Sequence, residues 1–161
     1  MKNIYEEFNV FLESIHSGSK VFKMYRTMTN DDELNNLLAE IVEYFEQHET
    51  SVSEVLKNHS VQPTNTISPG KELIVWIEKV KTQMKLGKAS SEPEEYNITN
   101  NDDDLDIGIS ALKSLNMGIT KGLEFVYIHR GLEIEALKKV IKDYGYLYDK
   151  LLNFIVKKYL E

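Results

Sequence analysis

Apolar residues recur at three- and four-residue steps along most of this chain, and that spacing limits its fold more than any other feature. In the first stretch, from Ile4 to Tyr25, the row runs through Phe8, Leu12, Ile15 and Phe22. Such steps place side chains on one face of an α-helix. The sequence has no strand-like alternation of useful length and no hairpin turn. The sequence therefore predicts an all-α protein.

The same spacing predicts three further long helices. The second runs from about Asp31 to Asn58, with Asn30 as its cap, and the third runs from Asp102 to about His129. Gly131 ends the third helix in this interpretation, and the last helix starts at Leu132. The short polar turn before the second helix makes the first two helices antiparallel neighbours. The expected fold is an antiparallel four-helix bundle.

The stretch between the two helical hairpins is expected to hold a short helix and a linker. Ser68-Pro69 is a strong helix start, and apolar spacing continues from there to about Met84, which predicts a short accessory helix in the crossover. Residues 86–101 combine Gly, Ser and Pro with acidic side chains and have no periodicity. We expect a mobile linker there rather than a domain boundary. With 161 residues, the chain is expected to form one domain over 1–161.

Composition narrows the classes of function. The chain has no cysteine, which excludes disulfides, thiolate metal sites and cysteine nucleophiles. Its formal net charge of -7 argues against a nucleic-acid partner, because binding to a phosphate backbone depends on clustered Lys and Arg. No apolar run resembles a membrane span or a signal-peptide core. We therefore expect a cytoplasmic protein without a membrane partner.

The most informative single side chain is His48, which falls on the apolar stripe of the second helix. An ionisable side chain in that position must be hydrogen-bonded or ligated, and a hydrogen-bonded core histidine is the favoured interpretation. Pairing the first two helices about their turn places Glu13 opposite Glu46, half a turn from His48. Glu13, His16 and His48 would then be the candidate ligands of a mononuclear metal site with an open position. The favoured interpretation instead leaves Glu13 on a solvated face.

Small residues form a row along the third helix. Gly108, Gly118 and Gly122 share this row with Ala111. Because glycine lowers helix stability by up to about 1 kcal/mol, several in one helix indicate a packing reason. Close approach to another helix is favoured over a binding cleft or a poorly formed helix.

Three short strings carry a resemblance to a known family. They are Leu12-Glu13-Ser14-Ile15-His16-Ser17-Gly18, Asp32-Glu33-Leu34 and Tyr148-Asp149-Lys150. Together with the order of hairpin, long crossover and hairpin, they resemble small bacterial ferritin-like proteins related to rubrerythrin. The resemblance implies a four-helix bundle whose metal-binding members hold two iron or manganese ions. Their ligands are a Glu from each of two helices and a Glu-x-x-His pair from each of the other two.

This chain departs from that ligand pattern in three helices. Phe45 stands three residues before His48, where the family pattern needs a Glu. The last helix has no histidine, and its matching position is Tyr148, with Gly145 three residues before it. The third helix has no carboxylate between positions 106 and 124. A two-metal site is therefore not predicted.

Two functions remain from the sequence. The favoured one is a non-catalytic bundle that binds another protein or a copy of itself. The alternative is a metal-binding ferritin-like protein, an oxidoreductase or a metal store, with a degenerate His/Glu site for iron, manganese or zinc. No arrangement of Ser, His and Asp or of a Lys nucleophile stands out, so no catalytic residue and no organic cofactor is assigned.

Overall fold

A computed structural model describes residues 4–65, 100–130 and 134–161, and these ranges hold four α-helices and no strand. The helices are α1 (Ile4–Met28), α2 (Asp32–Asn58), α3 (Asn100–Ile128) and α4 (Glu135–Tyr159). The prediction of an all-α four-helix bundle is confirmed. The expected accessory helix, most of the expected linker and Gly131 lie outside the described residues.

The predicted cap of α2 was wrong by one residue. Asp31, not Asn30, has extended backbone angles, and its Oδ1 accepts a hydrogen bond from the backbone N–H of Leu34 at 2.9 Å. Asn30 instead lies in the turn, where its backbone N–H donates to Asp104. An Asp carboxylate at the cap also meets the positive end of the helix dipole, which favours it over an amide.

The far end of α2 is closed by a residue in the left-handed region. Ser60 has φ 61°, and the backbone N–H groups of Ser60 and Val61 donate to the carbonyls of Lys57 and Leu56. This reversal satisfies the last carbonyls of the helix and redirects the chain. Residues 61–65 then lie against α1, where Asn9 bonds to both Gln62 and Thr64.

The four helices form a ring around one core. Packing joins α1 with α2, α2 with α4, α4 with α3 and α3 with α1. In each neighbouring pair, residue numbers rise along one helix as they fall along the other. Between α1 and α2, Gly18 meets Phe45 and His16 meets Glu49; between α2 and α4, Glu40 meets Lys150 and His48 meets Asp143. Between α3 and α4, Gly108 meets Ile155 and Gly122 meets Ile141. Phe8 of α1 meets Phe125 of α3, and Thr29, just after α1, meets Asp104.

The glycines of α3 let this helix approach α4 closely. A Cβ atom added at Gly118 would lie 2.8 Å from Cε2 of Tyr144, and one added at Gly122 would lie 2.7 Å from Cγ1 of Ile141. At Gly108 the corresponding distance to Ile155 is 2.9 Å. The expected packing role of these glycines is confirmed.

A buried carboxylate ties the α1–α2 turn to α3. Asp104 is almost fully buried, and its Oδ1 accepts from Thr29 Oγ1 at 2.7 Å and from the backbone N–H of Asn30 at 2.9 Å. The carboxylate thereby pairs polar groups of the turn that burial would otherwise leave unsatisfied. None of the helices in the described ranges has the length and apolar character needed to cross a membrane.

Candidate functional site

The most unusual polar group in the core is His48 of α2, whose side chain is 2% exposed. Its Nε2 lies 2.8 Å from Oδ2 of Asp143 on α4, and Lys139 donates to the same oxygen at 3.0 Å. Because a carboxylate only accepts, Nε2 carries the proton. His48 Nδ1 is also buried and has no hydrogen-bond partner among the described residues.

Electrostatics keep His48 uncharged. Burial lowers the pKa of His48 and Lys139 acts in the same direction, whereas the hydrogen bond and charge of Asp143 raise it without cancelling the effect of burial. Nδ1 is therefore a bare acceptor at neutral pH. Tyr144 packs edge-to-face on the imidazole at a centroid distance of 5.3 Å. Burial, followed by the charges of Glu49 and Asp143, raises the pKa of Tyr144, so its phenol stays protonated.

The second predicted ligand, His16, has both ring nitrogens occupied. Nδ1 lies 2.5 Å from Oε2 of Glu49, and Nε2 lies 2.9 Å from the backbone carbonyl of Thr64. The residue thus joins α1 to α2 and to the segment that follows α2. A histidine in this arrangement has no nitrogen left for a metal ion.

The three predicted ligands do not converge. Glu13 is half-buried, and its backbone carbonyl accepts from Ser17 Oγ, while His16 and His48 bond to different carboxylates. Within the described residues, no group of three or more His, Asp or Glu side chains is placed to hold a metal ion. The expected position of Glu13 opposite Glu46 was wrong, because Glu46 pairs with Lys23 at 3.4 Å. The position of the turn alone does not determine which side chains of the two helices pair, because long side chains reach along a helix.

The other two histidines, His59 and His129, both contact the first turns of α1. His129, just after α3, pairs with Glu7 of α1 at 2.7 Å. His59, at the end of α2, donates from Nδ1 to the carbonyl of Val55 and stacks on Tyr5 with ring centroids 3.7 Å apart. Each histidine is thus part of a contact that holds helices or helix ends together.

A small cavity lies beside Tyr144, and most of its lining residues belong to α1 and α3. Its volume is about 50 Å³. A cavity of this size holds one or a few water molecules and is well below the roughly 300 Å³ of a site for a drug-sized ligand. Its lining consists of Ser14, Gly18, Val21, Phe22, Phe45, Ser114, Met117, Gly118, Lys121 and Tyr144.

A wider depression crosses the surface between α2 and α4. It has a volume of about 340 Å³ and is open to solvent, with Glu33, Asn36, Leu37, Glu40, Lys150 and Phe154 along its walls. Lys150 donates to Glu40 across it at 2.7 Å. The hydrogen bond to Glu40 raises the pKa of Lys150, which keeps the amine protonated, so this exposed pair offers no general base for chemistry.

Most of the exposed large apolar side chains of the described residues lie on the α3–α4 hairpin. Among the described residues, large apolar side chains that are exposed include one on α1, none on α2, four on α3 and three on α4. Two of those on α3, Ile109 and Leu123, belong to a row of uncharged residues at three- and four-residue steps, beyond the glycines that face α4. This row consists of Leu105, Ile109, Leu112, Asn116, Ile119 and Leu123.

A matching row runs along α4 on the side that adjoins α3. It consists of Ile141, Gly145, Tyr148, Leu152 and Val156. We call the two rows together the α3–α4 flank. None of its residues is charged, although charged residues make up 28% of the chain. Leu123 is 53% exposed, Ile109 39%, Leu152 37% and Val156 36%, whereas Leu105, Leu112, Ile119, Ile141 and Tyr148 are partly buried against the core. The flank is therefore an apolar surface that the chain itself covers in part.

Sequence reasoning missed this surface and the carboxylate partners of the histidines. The α3 row could have been found, because a six-position helical row without a charge is visible in the sequence. Asp143 and Glu49 could not be assigned from spacing, since their pairing depends on the register between helices.

The chain matches no protein-family model, no curated protein and no solved structure.

Proposed function

We propose that this chain is a non-catalytic interaction module that binds a copy of itself or another protein through the α3–α4 flank. The observation that carries the proposal is the uncharged apolar surface formed by two adjacent helices. Exposed contiguous apolar patches on a folded chain are typical of protein interfaces. The closed histidine–carboxylate pairs and the small cavity fit a structural role for the core better than a catalytic one.

The family resemblance belongs to the same proposal. The opposite direction of contacts in each neighbouring helix pair supports an antiparallel, ferritin-like bundle, but fold alone does not confer the metal chemistry of that family. The net charge of -7 supports the absence of a nucleic-acid partner. We also propose that the protein is cytoplasmic.

A charge placed on the flank tests this function. We expect Leu152→Glu to weaken association at least tenfold, because a carboxylate would be buried without a partner at the interface. Asn153→Glu is the matched control, since it adds the same charge one residue along at an exposed position outside the flank. Light scattering after size exclusion measures the mass of each variant. Equal masses for wild type and both variants at every concentration would contradict self-association through the flank.

A metal-binding role is the second candidate, and one observation favours it. His48 bonds to a carboxylate through one nitrogen and leaves the other bare, which is how metal-ligating histidines are commonly held. Elemental analysis of the purified protein tests this role. Near-stoichiometric iron, manganese or zinc that disappears in His48→Gln would support it, and the same trace metal content in both proteins would reject it.

A further inference from the structure

The α3–α4 flank contains a glycine that no contact among the described residues explains. A Cβ atom added at Gly145 meets nothing within 4 Å in that part of the chain, whereas the glycines of α3 are pressed against α4. Glycine inside a helix costs about 1 kcal/mol relative to alanine, so it usually has a packing reason. At Gly145 the missing side chain leaves room for another backbone to approach.

We propose that a second copy of this chain covers the flank about a two-fold axis, with α4 crossing α4 of the partner subunit at Gly145. This inference rests on the proposed function and names its partner. Small residues at a helix crossing let two backbones approach closely, as the α3 glycines do within this chain. Two-fold dimers are also the commonest form of self-association.

The size of the flank is sufficient for such a dimer. From Leu105 to Leu123 it extends about 27 Å, and two adjacent helices give it a width of about 20 Å. Because part of the flank is already buried within the chain, the area is at most roughly 540 Å² per chain, or about 1,100 Å² for both copies, close to the roughly 1,000 Å² expected of a specific interface. This value predicts a modest, concentration-dependent dimer.

The charges that border the flank fit the same arrangement. Lys142 lies three residues before Gly145 and Asp149 lies four residues after it, and neither forms an ion pair within the described part of the chain. A two-fold axis at Gly145 brings Lys142 close to Asp149 of the partner subunit, and it does so twice. These opposite charges would offset part of the repulsion between two chains that each carry a charge of -7.

Disulfide trapping tests the geometry, and the natural chain has no cysteine to interfere. We expect Gly145→Cys to form a symmetric disulfide-linked dimer under mild oxidation at least tenfold faster than Glu54→Cys, an exposed control on α2. The two Cα atoms must come within about 7 Å for this bond to form. Gly145→Ser, which has the same size but no thiol, controls for folding and should retain the circular dichroism of the cysteine variant.

The outcomes separate this inference from the proposed function. If Leu152→Glu lowers the mass in solution but Gly145→Cys cross-links no faster than Glu54→Cys, the two-fold geometry is wrong and the interaction surface stands. If Leu152→Glu has no effect and neither cysteine cross-links, self-association through the flank and its two-fold geometry are both wrong. Rapid cross-linking of Gly145→Cys together with loss of the dimer in Leu152→Glu supports both.

Discussion

Alanine at Gly118 and Gly122 should destabilise the protein, although alanine is the better helix former. A Cβ at these positions would lie 2.8 Å from the Tyr144 ring and 2.7 Å from Ile141. Ordinary contacts between such carbon atoms begin at about 3.5 Å, so α3 and α4 would have to separate or the side chains would have to shift. The perturbation therefore acts on the whole α3–α4 interface.

Two opposing free energies decide the size of the effect. Each Gly→Ala change gains up to about 1 kcal/mol of helix stability. Overpacking costs about 1–3 kcal/mol per site, because the interior has little free space. For Gly118→Ala with Gly122→Ala we expect a net loss of about 2 kcal/mol in the free energy of unfolding. In a chain of this length that loss lowers Tm by about 6 °C.

Urea unfolding and thermal melting followed by circular dichroism measure this loss. Thr120→Ala is the matched control, because Thr120 lies between the two glycines, is exposed, and also gains helix propensity on mutation. We expect its Tm to be equal to or slightly above that of the wild type. Ile141→Ala should reduce the cost of Gly122→Ala, since it removes the atoms that clash. A higher Tm for the double glycine variant would refute the packing argument.

Two further predictions concern the cap of α2 and the buried histidine. Asp31→Ala should lower the free energy of unfolding by about 1 kcal/mol, because the Leu34 N–H loses its acceptor. Asn30→Ala should have a much smaller effect. Equal losses for the two variants in urea unfolding would contradict the assignment of Asp31 as the cap. Because burial lowers the pKa of His48 in the folded state, the unfolded chain binds a proton first as the pH falls below about 6.5, and native stability falls with it. The loss of stability between about pH 7.5 and about pH 5.5 should therefore be smaller in His48→Gln than in the wild type or in the exposed control His59→Gln, and an unchanged loss would contradict a neutral buried imidazole.

The helices could be predicted because their cause is local. Periodic apolar residues define α1 and α2 to within a few residues, and the three glycines of α3 indicated a close helix contact that the structure contains. The start of α4 was placed at Leu132, whereas the helix begins at Glu135. Helix ends depend on single hydrogen bonds, as the exchange of Asn30 for Asp31 as cap also shows.

The site could not be predicted, because its contacts join residues far apart in sequence. His48 and Asp143 are 95 residues apart, and His16 and Glu49 are 33 apart. A shift of one helical turn between α2 and α4 would put Lys139 or Leu147 in the place of Asp143. Asp104 illustrates the same limit, because its buried carboxylate bonds to Thr29 and Asn30 of the α1–α2 turn, 75 and 74 residues away in sequence. Local pattern thus identifies the elements, and register between them decides the chemistry.

Sedimentation equilibrium of the wild-type chain over a wide concentration range tests the central claim most directly. A chain that self-associates through the α3–α4 flank should have the mass of one chain, 18.6 kDa, at high dilution and approach twice that mass in the upper micromolar range. Leu152→Glu should remain at 18.6 kDa over the same range. A wild-type mass that stays at 18.6 kDa at every concentration would contradict self-association of this chain.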